Sequence, residues 1–239
     1  MKTTKAPFAG VYHHINAPTI SDEDFFAKNR KRKLIVPTRW DNKPRDKSKY
    51  DAYRALPLAY LSNADWAYKR KLDGENQRVF WDGEQARWNG KSDNYTCSTE
   101  WEEYMNSTFI EEIFEEKFSR EAKVFLFGER MGKKVQTNEL GLDHAEFVLF
   151  DVVVNGVFLG QDAINEIAHA FGIHSCFDFM QGGDMMYVDT LEKLIERCAD
   201  GEFKDWEGIV ATPQVELFDG YGTRIITKIK TCDYYVEAK

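Results

Sequence analysis

The sequence predicts an α+β domain preceded by an N-terminal extension. Of its 239 residues, 43% are hydrophobic, which is enough to bury a large core. Short runs rich in β-branched and aromatic residues alternate irregularly with segments of helical periodicity, and this mixture is typical of α+β domains. Pro37, Pro44 and Pro57 give residues 36–58 an irregular character. We therefore assign residues 1–58 to the extension and residues 59–239 to the domain.

Strands are predicted wherever β-branched and aromatic residues cluster. The predicted strands are Trp66–Tyr68, Arg78–Trp81, Val124–Phe127, Glu146–Val154, Gly208–Ala211 and Arg224–Lys230.

Helices are predicted between these strands. A pattern of helical spacing runs from Trp101 to Phe118, with glutamates on much of the opposite face. Two further helices are expected at Gln161–Phe171 and Thr190–Ala199. The last one has Asp189 or Thr190 as its N-cap and Gly201 just past its end.

The charge is unevenly distributed along the chain. A net charge of −8 argues against a protein whose main task is to coat nucleic acid. Residues 28–49 nevertheless contain ten Lys or Arg and two Asp. This basic segment is either a solvated linker or a nucleic-acid-binding surface, and its candidate contacts are Arg30, Lys31, Arg32, Lys33 and Arg39.

Cysteine spacing and hydropathy exclude several classes of protein. The four cysteines form no CxxC pair, so neither a zinc site nor a disulfide framework is indicated. No stretch approaches the apolar length of a membrane span, and the N-terminus has no apolar signal core. We expect a cytoplasmic protein without membrane contact, in the host cytoplasm if it is of phage origin.

Charged residues interrupt or flank the predicted strands. They are Lys71, Asp73, Glu129, Asp151, Glu207, Lys228 and Lys230. Taken singly, each has a structural explanation in a turn or on a solvated face. Taken together, cations and carboxylates at the ends of successive strands could hold a polyphosphate and a divalent metal. A lysine placed among other cations there would more readily give the neutral amine that a nucleophile needs.

The order KLDGEN, FGE, LFD, EGIV and KIK resembles motifs I, III, IIIa, IV and V of the covalent nucleotidyltransferase superfamily of ligases and mRNA-capping enzymes. Asn76, the run GERMGKKVQ and the final KIKTCDY look more like the phage-type RNA ligase 2 family. The resemblance implies an ATP-grasp-like adenylation domain, in which helices flank antiparallel sheets.

The resemblance also implies a role for each matched residue. Lys71 would attack the α-phosphate of ATP and hold AMP, with Mg²⁺ or Mn²⁺ as the metal. The other matched residues would contact the nucleotide: Asp73 and Asn76 the ribose and the activated 5′ end, Glu129 the ribose, Phe150 the adenine, Glu207 the metal, and Lys228 and Lys230 the α-phosphate. AMP would then pass to a 5′-phosphate, and a 3′-hydroxyl would displace it.

Several residues depart from the family pattern. Arg70 stands where ligases often have glutamate, and Thr212 occupies a commonly basic position. Glu75 replaces a small residue and would repel a nucleotide unless it faces away or reaches the metal. Arg87 and Lys91 both match the basic residue that follows motif I, and both remain candidates.

The sequence leaves alternative functions open. Nine residues follow Lys230, so we expect no C-terminal OB domain. An RNA ligase acting on RNA ends or nicks, as in nucleic acid repair, is the first hypothesis. A minimal ATP-dependent DNA ligase and a non-catalytic nucleic-acid-binding relic of the fold are the alternatives. The oligomeric state is not indicated.

Overall fold

The computed structural model describes residues 61, 63–91, 95–180, 188–218 and 224–235. In chain order these form β1 (Asp65–Lys71), β2 (Glu75–Trp81), β3 (Ala86–Gly90), α1 (Thr99–Thr108), α2 (Glu111–Lys117), β4 (Val124–Met131), β5 (Glu146–Val154), β6 (Val157–Phe158), α3 (Gln161–Ala170), β7 (Val188–Thr190), α4 (Leu191–Ala199), β8 (Gly208–Pro213), β9 (Thr227–Lys230) and α5 (Thr231–Tyr234). A 3₁₀ turn spans Cys176–Phe179. The predicted extension and its basic segment lie outside the described residues.

The chain divides into two compact units. Among the described residues, the larger unit contains residues 73–179, and the smaller unit contains residues 61–72 and 180–235. This division falls between Leu72 and Asp73, so the motif KLDGEN contributes residues to both units.

The larger unit is an antiparallel sheet with the strand order β3-β2-β4-β5-β6. The sheet and its three helices share one hydrophobic core. Apolar side chains recur at the strand and helix periods, so each element turns an apolar face toward this core. Its fully buried residues include Val79, Trp81, Leu126, Phe147 and Phe114.

The helical pattern from Trp101 to Phe118 forms two helices instead of one. The break lies at Phe109 and Ile110, where the backbone leaves the helical region. The Phe109 ring packs 5.0 Å from the centroid of Phe147 and 5.3 Å from that of Phe171. Packing against residues far away in the sequence therefore ends the first helix, although the local periodicity predicted that it would continue.

The smaller unit is a four-stranded antiparallel sheet with the order β7-β1-β8-β9. Thr190 caps α4, as one of the two predicted candidates, by accepting a hydrogen bond from the Lys193 amide. Arg197 of this helix donates to the Tyr68 hydroxyl at 2.7 Å, and its guanidinium lies 5.1 Å from the Tyr68 ring centroid. This contact links α4 to β1.

The α+β fold class with antiparallel sheets is confirmed. The strand at Glu146–Val154 has its predicted bounds, whereas the last strand begins only at Thr227. Arg224 instead forms an isolated bridge with Phe218 and pairs with Glu216. Strands β3, β6 and β7 were not predicted. None of the helices in the described ranges has the length and apolarity that crossing a bilayer requires.

Gly208 allows β8 and β9 to pair closely at the first residue of β8. Its φ is +151°, and a Cβ at this position would lie 2.1 Å from the Ile229 carbonyl oxygen. Residues with a side chain rarely adopt this φ, and the contact is with rigid backbone. The motif EGIV therefore needs glycine at its second position.

We predict that Gly208→Ser destabilises the protein by about 3 kcal/mol, because it combines backbone strain with a steric clash. Urea unfolding followed by tryptophan fluorescence measures this loss. Gly160→Ser is the matched control, since Gly160 caps α3 with φ −75° and has nothing within 4 Å of an added Cβ. Equal stability of the two variants would contradict the requirement for glycine at position 208.

Candidate nucleotidyl-transfer site

The predicted site residues fall into two sets, one in each unit. The smaller unit holds Lys71, Glu207, Lys228 and Lys230, and the larger unit holds Asp73, Asn76, Arg87, Lys91, Glu129 and Phe150. The candidate contacts Arg30, Lys31, Arg32, Lys33 and Arg39 lie outside the described residues.

Strand register in the smaller unit brings two of the predicted lysines together. Gly208 of β8 lies opposite Lys71 of β1 on one side and opposite Lys230 of β9 on the other. The residue before this glycine, Glu207, accepts a hydrogen bond from Lys71 on Oε2 and one from Lys230 on Oε1. One carboxylate is therefore shared by two ammonium groups.

The electrostatics keep the shared carboxylate ionised. Burial by itself raises the pKa of Glu207, but the hydrogen bonds and charges of Lys230 and Lys71 outweigh it and hold this pKa below its usual range. The hydrogen bond to Glu207 raises the pKa of Lys230, despite the opposing effect of burial. At neutral pH the carboxylate and the Lys230 ammonium both stay charged.

A second pair of lysines lies on the same face of this sheet. Lys69 and Lys228 both lie opposite Val210, two residues along their strands from Lys71 and Lys230. Residues two apart in a strand point to the same face. Sequence reasoning paired Lys228 with Lys230 in this way but missed Lys69, although the same period of two places it with Lys71.

In the larger unit, Asn76 of β2 lies directly opposite Glu129 of β4. Directly opposed residues in an antiparallel pair share a face of the sheet, so motifs I and III present these two side chains together. The β4–β5 register passes from Phe127 opposite Asp151 to Gly128 opposite Leu149. Phe150 is thus the extra residue of a β-bulge, a feature that redirects side chains next to functional sites.

The turn that follows Lys71 is tied to β4 and to the loop after it. A Cβ on Gly74 would lie 2.2 Å from the Arg130 carbonyl oxygen, so the turn requires glycine. Asp73 accepts a hydrogen bond from Thr137 Oγ1 at 3.1 Å. The loop that carries Thr137 holds Lys134, Gln136 and Asn138 at positive φ.

The two candidates for the basic residue after motif I have different surroundings. Arg87 pairs with Asp82, and its guanidinium carbon lies 5.4 Å from the Phe80 ring centroid. Lys91 is exposed and directly follows Gly90, which lies opposite Gln77. Lys91 is therefore next in register to Asn76, whereas Arg87 lies near the other end of β3.

The chemistry of these side chains bears on the predicted metal. Within the described ranges, no group of three or more His, Cys, Asp or Glu side chains could hold a metal ion. Mg²⁺ commonly binds proteins through one or two carboxylates, completing its shell with substrate phosphates and water. A single carboxylate such as Glu207 has the chemistry of such a partial ligand for a cation that arrives with a nucleotide.

Comparison with solved structures shows a fold shared with the RNA ligase of Naegleria gruberi. A variant of that enzyme with ATP and Mn aligns with a TM-score of 0.51 and 16% identity, over 72% of this chain and 51% of that chain. The enzyme with PPi gives 0.51 and 17%, over 72% and 52%. An apo variant gives 0.52 and 14%, over 73% and 51%. This chain therefore spans about half the length of those chains.

Comparison with curated protein sequences gives no significant match. Comparison with family models matches residues 64–230 to the RNA ligase family. The matched region runs from the residue before β1 to the last residue of β9, and it includes every motif from KLDGEN to KIK. The chain belongs to the RNA ligase family.

Proposed function

We propose that this chain is an ATP-dependent RNA ligase that carries AMP on Lys71. The observation that supports this most directly is the Glu207 carboxylate shared by Lys71 and Lys230. Glu207, in motif IV, links the candidate nucleophile Lys71 of motif I to a second cation, Lys230 of motif V. The family match covers all three.

In the first step, the neutral Lys71 Nζ attacks the α-phosphorus of ATP. A phosphorus–nitrogen bond forms, the bond to the bridging oxygen breaks, and pyrophosphate leaves. The ammonium first loses a proton to solvent, and Glu207, which accepts a hydrogen bond from Nζ, holds the amine in place. Lys230 and Lys228 offset the negative charge that develops on the α-phosphate.

The remaining residues of the proposed set orient the nucleotide and the nucleic acid. Glu129 contacts the ribose, Phe150 stacks on the adenine, and Asp73 with Asn76 holds the ribose and the 5′ end. Of the two basic candidates, we propose Lys91 because it is next in register to Asn76. Glu207 would hold a Mg²⁺ or Mn²⁺ ion, which would supply positive charge to stabilise the phosphates during the transfer.

In the later steps, AMP passes from Lys71 to the 5′-phosphate of an RNA end. A 3′-hydroxyl then attacks that phosphate, a phosphodiester bond forms, and AMP leaves. The resemblance of motifs I, III and V to the phage-type RNA ligase 2-like enzymes supports this proposal. The basic segment 28–49 would help to hold the RNA through its phosphates.

Incubation with ATP and Mg²⁺ is expected to add the mass of one AMP to the intact wild-type protein and none to Lys71→Ala. The protein is first treated with pyrophosphate, which strips any bound AMP. Lys204→Ala is the matched control, because Lys204 is an exposed lysine of the same unit. If the wild-type protein gains no nucleotide from ATP, GTP or NAD, the proposed function is wrong and the alternative of a non-catalytic relic of the fold is favoured.

We further expect the wild type to seal 5′-phosphorylated RNA ends or nicks with ATP. Lys71→Ala should lose this activity by at least about a thousandfold, because it lacks the nucleophile. The same variant should still seal RNA that already carries a 5′-adenylate, since that step does not use Lys71. Gel electrophoresis of labelled strands measures both reactions, and sealing of DNA alone would support a minimal DNA ligase instead.

A further inference from the structure

Glu75, which replaces a small residue of the family pattern, pairs with the residue that follows Glu129. Arg130 Nη1 donates to Glu75 Oε2 at 3.1 Å. The Tyr95 hydroxyl donates to the same oxygen at 3.4 Å. The carboxylate thus has partners within the larger unit.

The β2–β4 register explains where this pair lies. Glu75 is opposite Arg130, and the next rung of the ladder places Asn76 opposite Glu129. Successive residues of a strand point to opposite faces. The Glu75–Arg130 pair therefore lies on the face away from Asn76 and Glu129, and it does not repel a nucleotide bound by those two residues.

Arg130 is fixed by more than its charge. Its guanidinium carbon lies 4.7 Å from the Trp101 ring centroid, within the range of a cation–π contact. Trp101 is 2% exposed and belongs to the main core of the unit. Tyr104, which stacks on Trp101, accepts a hydrogen bond from the Phe147 amide at 3.0 Å. The arginine is therefore anchored to the buried core of the unit.

The turn between Lys71 and Glu75 packs closely against β4 at Arg130, the residue that pairs with Glu75. A Cβ on Gly74 would meet the Arg130 carbonyl oxygen, the Met131 sulfur and the Glu129 Cγ, at distances of 2.2, 2.6 and 2.8 Å. A displacement at Arg130 would thus reach both the turn and Glu129. The ion pair holds together the first rung of the ladder, where β2 starts directly after this turn.

We propose that Glu75 and Arg130 are positioning residues that set Asn76 and Glu129 for nucleotide binding. Neither residue touches the nucleotide. Their ion pair, seated on Trp101, fixes the backbone of the rung that carries the two contacts. This inference rests on the proposed function, since Asn76 and Glu129 are assigned to ATP there.

The test measures the rate of Lys71 adenylation against ATP concentration in the wild type, Glu75→Gln, Arg130→Gln and the double variant. Each single substitution is expected to raise the KM for ATP about tenfold, because small displacements of binding groups weaken substrate contacts. The maximal rate should change much less, since these contacts are made in the ground state as well. The double variant should be no worse than the worse single variant, because both remove one interaction.

Two further variants separate positioning from general damage. Arg130→Lys keeps the cation and should recover part of the affinity. Arg120→Gln removes an exposed arginine that pairs with Glu115 in the same unit, and it should leave the KM unchanged. Glu75 is 43% exposed in its side chain, so its substitution by glutamine is expected to leave the protein folded.

The outcomes distinguish a failure of the positioning role from a failure of the proposed function. Normal wild-type adenylation with an unchanged KM in both single variants would overturn the positioning role alone. Additive effects in the double variant would also overturn it. Wild-type protein that forms no adenylate would overturn the proposed function, and the positioning role with it.

Discussion

The arrangement of the smaller unit depends on one carboxylate shared by two lysines. Glu207 is separated from Lys71 by 136 positions and from Lys230 by 23. Without Glu207, two half-buried ammonium groups would face each other across a glycine, and their repulsion would oppose the strand pairing that creates the site. Charge balance and strand register therefore support each other.

The larger unit uses strand pairing in a different way. Because an antiparallel ladder presents alternate rungs to opposite faces, two neighbouring rungs of β2 and β4 separate proposed nucleotide contacts from structural contacts. Asn76 and Glu129 lie on one face, and Glu75 and Arg130 lie on the other. The departure of Glu75 from the family pattern thus has a structural explanation, because its carboxylate pairs with an arginine on the adjacent strand.

Much of this was predictable from sequence, and the exceptions have physical causes. Long β-branched runs such as Glu146–Val154 predict strands well, because they match the strand period over many residues. The short strand β3 was missed because it is a five-residue segment, Ala86–Gly90, that lacks such a run. Phe109 ends α1 through contacts with Phe147 and Phe171, which lie far away in the chain. Motif order pointed to Lys71, Glu207 and Lys230, but the Glu75–Arg130 pair joins residues 55 positions apart and no local pattern reveals it.

The most direct test of this account is the single-turnover rate of Lys71 adenylation in Glu207→Gln, at saturating ATP and Mg²⁺. Glutamine keeps the shape of the side chain and removes its charge, while Glu192→Gln serves as control at an exposed position of α4. A loss of about a hundredfold is expected in Glu207→Gln, with wild-type behaviour in the control. A rate within about twofold of the wild type in Glu207→Gln would contradict it, because the shared carboxylate would then contribute little to the reaction.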